Sequence, residues 1–132
     1  MIVTYSAKRK ISSGHVASTN YDLETIPQRL DLAMPAKKKD ATALDGTTET
    51  LLHRLDEEYS IETGEFDLAD RDLWQEFWAS VIASEPFTID LEGSLANPTV
   101  TKNAILSPGS KPKLKRVGQL QKFSFSFKIR IL

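Results

Sequence analysis

The sequence predicts an α+β domain that is mostly β, an antiparallel β-barrel or sandwich flanked by one α-helix. Two patterns carry this prediction. The last segment, residues 122–132, alternates apolar and polar residues with the period of a strand that has one buried face. Asp67 to Ser84 instead repeats apolar residues at helical spacing. Several strands interrupted by a single helix are typical of this fold class.

Strands and one ambiguous segment are predicted before the helix. Residues 2–6 alternate as a short opening strand. Residues 16–26 form a second strand, which Pro27 ends or places at a sheet edge. Residues 35–48 are polar and have no clear period, so we predict a loop there. Residues 48–63 fit both helical and strand spacing, and periodicity alone leaves the two open.

The helix carries two apolar ridges that together are wide enough to pack on a sheet. Asp67 or Asp70 is suited to cap its first turn, and Pro86 prevents its continuation. We interpret the ridges as core. The alternative is a partner-binding groove, with Trp74 as the residue left partly exposed. The first ridge consists of Leu73, Phe77 and Val81, and the second of Trp74, Trp78 and Ile82.

Two short strands and a basic loop are predicted between the helix and the closing strand. Residues 87–91 and 100–106 are the strands, and residues 107–118 form a mobile loop rich in proline, glycine and lysine. The closing strand then has one face for the core and one polar face. The core face holds Phe123, Phe125, Phe127, Ile129 and Ile131, and the polar face holds Lys122, Ser124, Ser126, Lys128 and Arg130.

Composition narrows the possible functions. The 132 residues suit a single domain spanning 1–132. The net charge of −1 gives no overall attraction to nucleic acid or acidic lipid. The absence of cysteine excludes disulfides, thiolate catalysis and cysteine-based zinc sites. We expect no signal peptide and no membrane insertion, because no apolar stretch approaches about 18 residues. The absence of cysteine fits assembly in a reducing cytoplasm.

No pattern of residues in the sequence is typical of a catalytic site. The sequence contains no nucleophile elbow, no phosphate-binding loop and no dinucleotide-binding glycine pattern. His53 lies near Asp56, Glu57 and Glu58, which raises a metal site or an acid–base pair as an alternative. We interpret His53 as an exposed polar residue beside solvated acids. The sequence therefore predicts no catalytic, cofactor-binding or metal-binding residues.

Three basic clusters occur, at residues 8–10, 37–39 and 111–116. If they converged in space they would bind a polyanion, with release of counterions. Aromatic residues do not interleave with them, so we expect solvated loops. A contact with an acidic patch on a neighbouring subunit is the alternative, and residues 56–58 and 70–72 offer such a patch.

Several short segments carry a resemblance to a known family. They are Gly14-His15-Val16-Ala17, Thr48-Glu49-Thr50-Leu51-Leu52-His53-Arg54, Tyr59-Ser60-Ile61, Asp72-Leu73-Trp74-Gln75-Glu76-Phe77, Glu85-Pro86-Phe87-Thr88-Ile89-Asp90 and Phe123-Ser124-Phe125-Ser126-Phe127-Lys128. With this order of elements, the chain resembles the minor tail proteins of long-tailed bacteriophages, in particular the distal tail family that forms the tail-tip ring. None of these segments is a catalytic signature; each is a pattern at the level of the fold.

The resemblance implies a tail-tube-like barrel or sandwich in which residues 48–63 form a strand. It implies a structural virion protein that forms a ring, expected to be a hexamer, between the tail tube and the tail tip. Its partners would be further copies of itself, the tail tube protein, the tail hub or tip proteins and the tape-measure protein. DNA would meet the ring only in passage. The chain is short for this family, so we do not expect an appended carbohydrate-binding domain.

The ring architecture also implies which residues meet a neighbouring subunit. The long loops and the polar face of the closing strand are the expected contacts, because the face opposite the core looks toward the lumen or a neighbour. The predicted interface residues are Lys37, Lys38, Lys39, Lys113, Lys115, Arg116, Ser124, Ser126, Lys128 and Arg130.

Other functions fit the same sequence features. A tail terminator or tube subunit would share the fold and differ only in its position along the tail. A nucleic-acid-binding module would use the three basic clusters and bind with steep salt dependence. A small hydrolase would depend on His15 or His53.

Overall fold

The computed structural model describes residues 1–42, 48–118 and 121–132, and for residues 36–42 and 48–55 it describes the backbone alone. This part of the chain forms eleven strands and one helix. The strands are β1 (Ile2–Ser6), β2 (Asn20–Glu24), β3 (Pro27–Ala33), β4 (Ala36–Thr42), β5 (Thr48–Leu55), β6 (Glu58–Thr63), β7 (Phe66–Asp67), β8 (Phe87–Asp90), β9 (Lys102–Leu106), β10 (Lys113–Val117) and β11 (Lys122–Ile131), and the helix is α1 (Leu68–Val81).

Nine of these strands form one antiparallel sheet in which β11 is the central strand. The order is β2-β1-β8-β9-β11-β6-β3. Along one edge β11 pairs with β9 and then β10, and along the other with β6 and then β7. Both edges of the closing strand are therefore occupied.

The sheet is open, and its two ends are brought close together by a short link. The end strands β2 and β3 are separated by Thr25 and Ile26 alone. In a flat sheet they would lie about 29 Å apart, whereas the link spans at most about 11 Å, so the sheet must curl. Gly64 N donates to Ile26 O at 2.9 Å, and Thr25 N donates to Met1 O at 3.0 Å. The predicted α+β, mostly β architecture is confirmed, with an open sheet and no closed barrel.

The core lies between α1 and the apolar face of the sheet. The Phe77 ring lies at its centre, with centroids 5.5 Å from Tyr5, 5.1 Å from Phe87 and 5.8 Å from Phe127. Trp74 lies 5.5 Å from Phe125. The apolar face predicted for the closing strand is thus the surface that the helix covers.

The helix is shorter than predicted, and its second ridge is only partly covered. It begins after Asp67 and ends at Val81, three residues before Ser84. Trp74 is buried, which confirms its interpretation as a core residue and excludes the alternative in which it was left partly exposed. Trp78 is half-buried and Ile82 is 58% exposed. The reason is that Ile82 is the C-cap residue and lies beyond the last turn that rests on the sheet.

Asp67 occupies the N-cap position, but its side chain makes no capping hydrogen bond. Its carboxylate instead accepts a hydrogen bond from Lys122 Nζ on the neighbouring strand. The backbone of Asp67 therefore occupies the predicted N-cap position, while its side chain pairs with Lys122 across the strands.

Two predicted loops are partly strands. Residues 36–42 form β4, which pairs with β5, and residues 113–117 form β10, which pairs with the first half of β11. Residues 43–47, the rest of the first predicted loop, lie outside the described part of the chain. Neither sequence has an apolar period, and both strands are joined to a partner strand by backbone hydrogen bonds.

The remaining strand predictions hold with shifted boundaries. Residues 48–63 are strand, as expected, but they form two strands that break at residues 56–57. Only residues 20–24 of the predicted strand 16–26 are extended, and Pro27 opens the end strand β3. A proline at the start of an edge strand costs no ladder hydrogen bond.

Replacing Phe77 with alanine tests the position of the core. We expect the Phe77→Ala variant to lose about 3–5 kcal/mol of unfolding free energy, because a large ring is removed from a closely packed site. Ile82→Ala, on the exposed end of the same helix, should cost about 0.5 kcal/mol or less. Urea denaturation followed by circular dichroism measures both. Equal losses in the two variants would contradict this account of the helix.

Candidate functional site

A hydrogen-bonded polar cluster surrounds Glu76, on the buried face of α1. The Tyr5 hydroxyl donates to Glu76 Oε1 at 2.7 Å, and His15 Nδ1 lies 2.5 Å from the same oxygen. Ser12 N donates to Glu76 Oε2 at 2.5 Å. The imidazole of His15 also stacks on Tyr21, with centroids 3.7 Å apart. Both carboxylate oxygens are therefore occupied by protein groups.

These hydrogen bonds hold the carboxylate in its ionised form. Burial by itself raises the pKa of Glu76, but the hydrogen bonds from Ser12, His15 and Tyr5 outweigh it and lower the pKa from 4.5 to about 2. Burial and the neighbouring carboxylate raise the pKa of Tyr5. Since Glu76 is fully buried, its role in this arrangement is to anchor the segment that contains Ser12 and His15.

The same segment is attached to α1 through its first basic cluster. The backbone N–H groups of Lys8 and Arg9 donate to Ser80 Oγ at 3.0 and 3.3 Å. Arg9 Nη2 pairs with Glu85 at 2.9 Å, and Lys8 Nζ lies 3.4 Å from the same carboxylate. Residues 8–10 lie in an exposed loop, as predicted, and the loop is tethered to α1 and to Glu85 by these contacts.

The sequence contains little to reveal the Glu76 cluster. His15 and Glu76 are 61 residues apart, and no spacing rule links them. In the sequence, Glu76 lies beside Phe77 on the helix and resembles any exposed acidic residue. Its contacts with Tyr5 and His15 exist only in the folded chain. The side chain of His53, the other histidine considered above, lies outside the described part of the structure.

In the part of the chain that the structure describes, no group of three or more His, Cys, Asp or Glu side chains is placed to hold a metal ion. Within residues 1–42, 48–118 and 121–132, no helix has the length and apolar character to cross a bilayer.

Three of the predicted interface residues line one shallow depression on the polar face of the sheet. Lys113 on β10 lies opposite Ser126 on β11, and Lys128 follows along β11. Arg29 and Lys111 complete the basic lining, and the depression has a volume of about 370 Å³. We call it the basic depression, defined by Arg29, Lys111, Lys113 and Lys128. Glu62 is the one carboxylate among its lining residues.

The other predicted interface residues are distributed differently. Lys115 continues the lysine row of β10 opposite Ser124, but Ser124 is 2% exposed and is not accessible in the isolated subunit. Arg116 lies opposite Phe123 and therefore on the core side of the sheet, away from Lys115. Arg130 lies opposite Glu58, beyond the basic depression. Residues 37–39 belong to β4, and their side chains lie outside the described part of the structure.

The acidic residues proposed from the sequence as a complementary patch are partly used inside the subunit. Glu57 accepts hydrogen bonds from Tyr59 Oη at 2.7 Å and from Lys102 Nζ at 3.1 Å. Glu58 accepts a hydrogen bond from Ser107 Oγ at 3.1 Å. Asp72 pairs with its neighbour Arg71 at 3.3 Å. Residues 56–58 are therefore not an open acidic surface.

The end strand β3 presents a row of exposed apolar side chains. Among the described strands it pairs with β6 alone, and every residue after Pro27 in this strand is exposed. Leu30 and Leu32 lie on one face, opposite Ile61 and Tyr59, and Leu32 is 51% exposed. Met34 follows at the same period and is 52% exposed. This row extends the core face of the sheet past the region that α1 covers.

Comparison with known proteins adds no family assignment: no protein-family model matches the chain, and no curated protein matches it significantly.

The Glu76 network predicts how stability depends on pH. Because the folded pKa of Glu76 lies below its ordinary value, its stabilising contribution is present above about pH 4.5 and is lost as pH falls toward 2. In the wild type this contributes a decline of up to about 3 kcal/mol. Glu76→Gln should be less stable at pH 7 and should show a flatter decline in acid.

Urea titrations at several pH values measure this difference. Tyr5→Phe serves as the companion variant, because it removes one donor and keeps the carboxylate. It should cost about 1–2 kcal/mol at pH 7. A Glu76→Gln variant whose stability falls in acid as steeply as that of the wild type would contradict the ionised, hydrogen-bonded carboxylate.

Proposed function

We propose that this chain is a structural subunit of a long-tailed bacteriophage tail, a distal tail protein whose copies form a ring between the tail tube and the tail tip. It acts by assembly and without catalysis. The proposal joins the family resemblance of its sequence segments to one structural observation, the exposed and unpaired edge of β3 with its apolar row. A ring of six copies is the form that the resemblance implies.

An uncovered edge strand of this kind favours association with another chain. Unpaired N–H and C=O groups on an edge are a template for a further strand, and monomeric proteins protect such edges with charge, proline or a covering segment. In β3 the only proline is at its start, and Leu30, Leu32 and Met34 lie exposed. Burying each of these side chains would contribute on the order of 1 kcal/mol to an interface.

The hairpin formed by β4 and β5 supports the same proposal. These strands hydrogen-bond to each other in a separate two-stranded sheet that continues from β3 and β6. A two-stranded hairpin alone in water is marginally stable at best. Its strands are seven and eight residues long, which gives a reach of about 23–26 Å. Such an arm is suited to lie on a neighbouring subunit.

A ring accounts for both features with one type of contact. When each copy meets the next through two different surfaces, the repeated contact closes if the rotation allows it. The β3 edge and the hairpin arm of each subunit are then covered by its neighbours. The tail tube protein, the hub or tip proteins and the tape-measure protein are the further partners that a tail-tip ring would have.

Mass measurement of the purified protein tests the ring. We expect light scattering to give a mass several times that of one chain, and negative-stain electron microscopy to show closed rings. In purified virions, antibody labelling should place the protein at the tail tip. Labelling along the tube or at the head-proximal end would assign it instead as tube subunit or terminator. A protein that is monomeric at every concentration and absent from virions would rule the proposal out.

A charge placed on the apolar row tests the β3 edge. Leu32→Lys should weaken self-association about tenfold or more, since burying the new charge in the interface costs over 1.4 kcal/mol. Ile82→Lys is the matched control, because Ile82 is 58% exposed and lies at the C-terminal end of α1. Sedimentation velocity measures association, and thermal melts check that both variants are folded. Equal assembly in the two variants would exclude the β3 edge as the contact.

A further inference from the structure

A second charged depression lies near the start of α1 and has the opposite sign. Its lining includes the carboxylates of Glu24, Glu65, Asp67 and Asp70, with Lys122 as the one basic residue, and its volume is about 300 Å³. We call it the acidic depression, defined by those four carboxylates. Glu65, Asp67 and Asp70 lie within six residues of one another in the chain, and the fold adds Glu24 from the end of β2.

The two depressions carry equal and opposite formal charge. Four basic side chains and Glu62 give the basic depression +3, and four carboxylates and Lys122 give the acidic depression −3. Outside the lining, Asp31 partly offsets this charge, because it accepts a hydrogen bond from Arg29 at 2.5 Å. The whole chain has a net charge of −1, so its positive and negative charges nearly balance. The two depressions separate part of these charges by sign.

The two depressions extend in different directions along β11. Lys128 lines the basic depression, and Lys122 lines the acidic one. Six residues of extended strand separate these two positions by about 20 Å, although the linings approach each other where Glu62 and Gly64 lie two residues apart in the chain. Two copies can bring them together.

Most of these charges have no partner among the described residues. Among the described residues, no ion pair involves Lys111, Lys113 or Lys128, and none involves Glu65 or Asp70. By contrast, Asp67 is paired with Lys122, and Glu24 accepts a hydrogen bond from Leu95 N at 2.6 Å. Like charges grouped in this way repel one another, and binding to a surface of opposite charge reduces that repulsion.

The acidic depression also contains an exposed apolar residue, which could occupy the centre of an interface. Ile26 lines the acidic depression and is 85% exposed, the highest value for a large apolar side chain in the described structure. Ile61 and Phe127 lie beneath the basic depression, and their side chains are buried in the core at 3% and 5% exposure. An apolar side chain seated among charged rim residues is the usual arrangement of a protein–protein interface.

We propose that the basic depression of one copy binds the acidic depression of a second copy, with Ile26 at the centre of the contact. This inference rests on the proposed function and names the partner surface for it. The charges set which surfaces meet and how fast they meet, while the apolar contacts contribute most of the affinity. Because each subunit uses a different surface toward each neighbour, the contact is head-to-tail, the type that a ring repeats.

Charge reversal on each side tests the contact. The variant Lys113→Glu with Lys128→Glu reverses the basic depression, and the variant Glu65→Lys with Asp70→Lys reverses the acidic one. All four residues are exposed, so each variant should fold. Each variant alone should associate at least about tenfold more weakly than wild type. An equimolar mixture should regain wild-type association, because each reversed surface then meets its complement.

Three controls accompany this experiment. Lys10→Glu makes the same charge change on an exposed residue outside both depressions and should leave association unchanged. Raising salt from about 0.05 to about 0.5 M should weaken the association of the wild type. If the double variant at residues 65 and 70 melts early, the single variants Glu65→Lys and Lys113→Glu form a second complementary pair.

The outcomes separate this inference from the proposed function. If wild type assembles and neither reversal changes the assembly, the contact is overturned and the ring proposal is not. If wild type is monomeric and the mixed variants do not associate, both are overturned. A mixture that forms only two-chain complexes confirms the contact and contradicts the ring. Unchanged assembly together with salt-sensitive DNA binding that Lys113→Glu and Lys128→Glu abolish would reassign the basic depression to nucleic acid.

Discussion

The structure depends on the position of one strand. β11 pairs along both of its edges, and its apolar face lies under α1, so the sheet and the helix are joined through it. Because side chains alternate along a strand, burying Phe125 and Phe127 puts Ser126 and Lys128 on the opposite face. The basic depression is therefore a direct consequence of how the core is built.

The second constraint is the two-residue link between β2 and β3. It curls the sheet without closing it, and the backbone of Thr25 and Ile26 is held by hydrogen bonds at both ends of the sheet. The link leaves β3 as an end strand with an exposed apolar row, and it leaves the Ile26 side chain projecting beside the acidic residues. The features on which the assembly proposals rest thus have a common origin.

The three basic clusters look alike in sequence but differ in their surroundings. Residues 8–10 hold the first long connection against α1, next to the buried Glu76 carboxylate. Lys113 and Lys128 have no internal partner among the described residues and share one depression with Arg29. The expected solvated loop describes residues 8–10, which are exposed, but residues 113–116 belong to β10. The acids at residues 57–58 are likewise engaged within the subunit.

The sequence by itself determined the elements whose burial has a clear period: β1, β8, β11 and α1, since a single buried face imposes spacing two or spacing 3.6 on the apolar residues. Only the tertiary structure decided that β4 and β10 are strands, that Trp74 is buried while Ile82 is exposed, and that Glu76 meets His15. It also decided how the charges are sorted into two depressions. These features depend on partners tens of residues away, and local spacing carries no information about which distant segment a strand or a charge will meet.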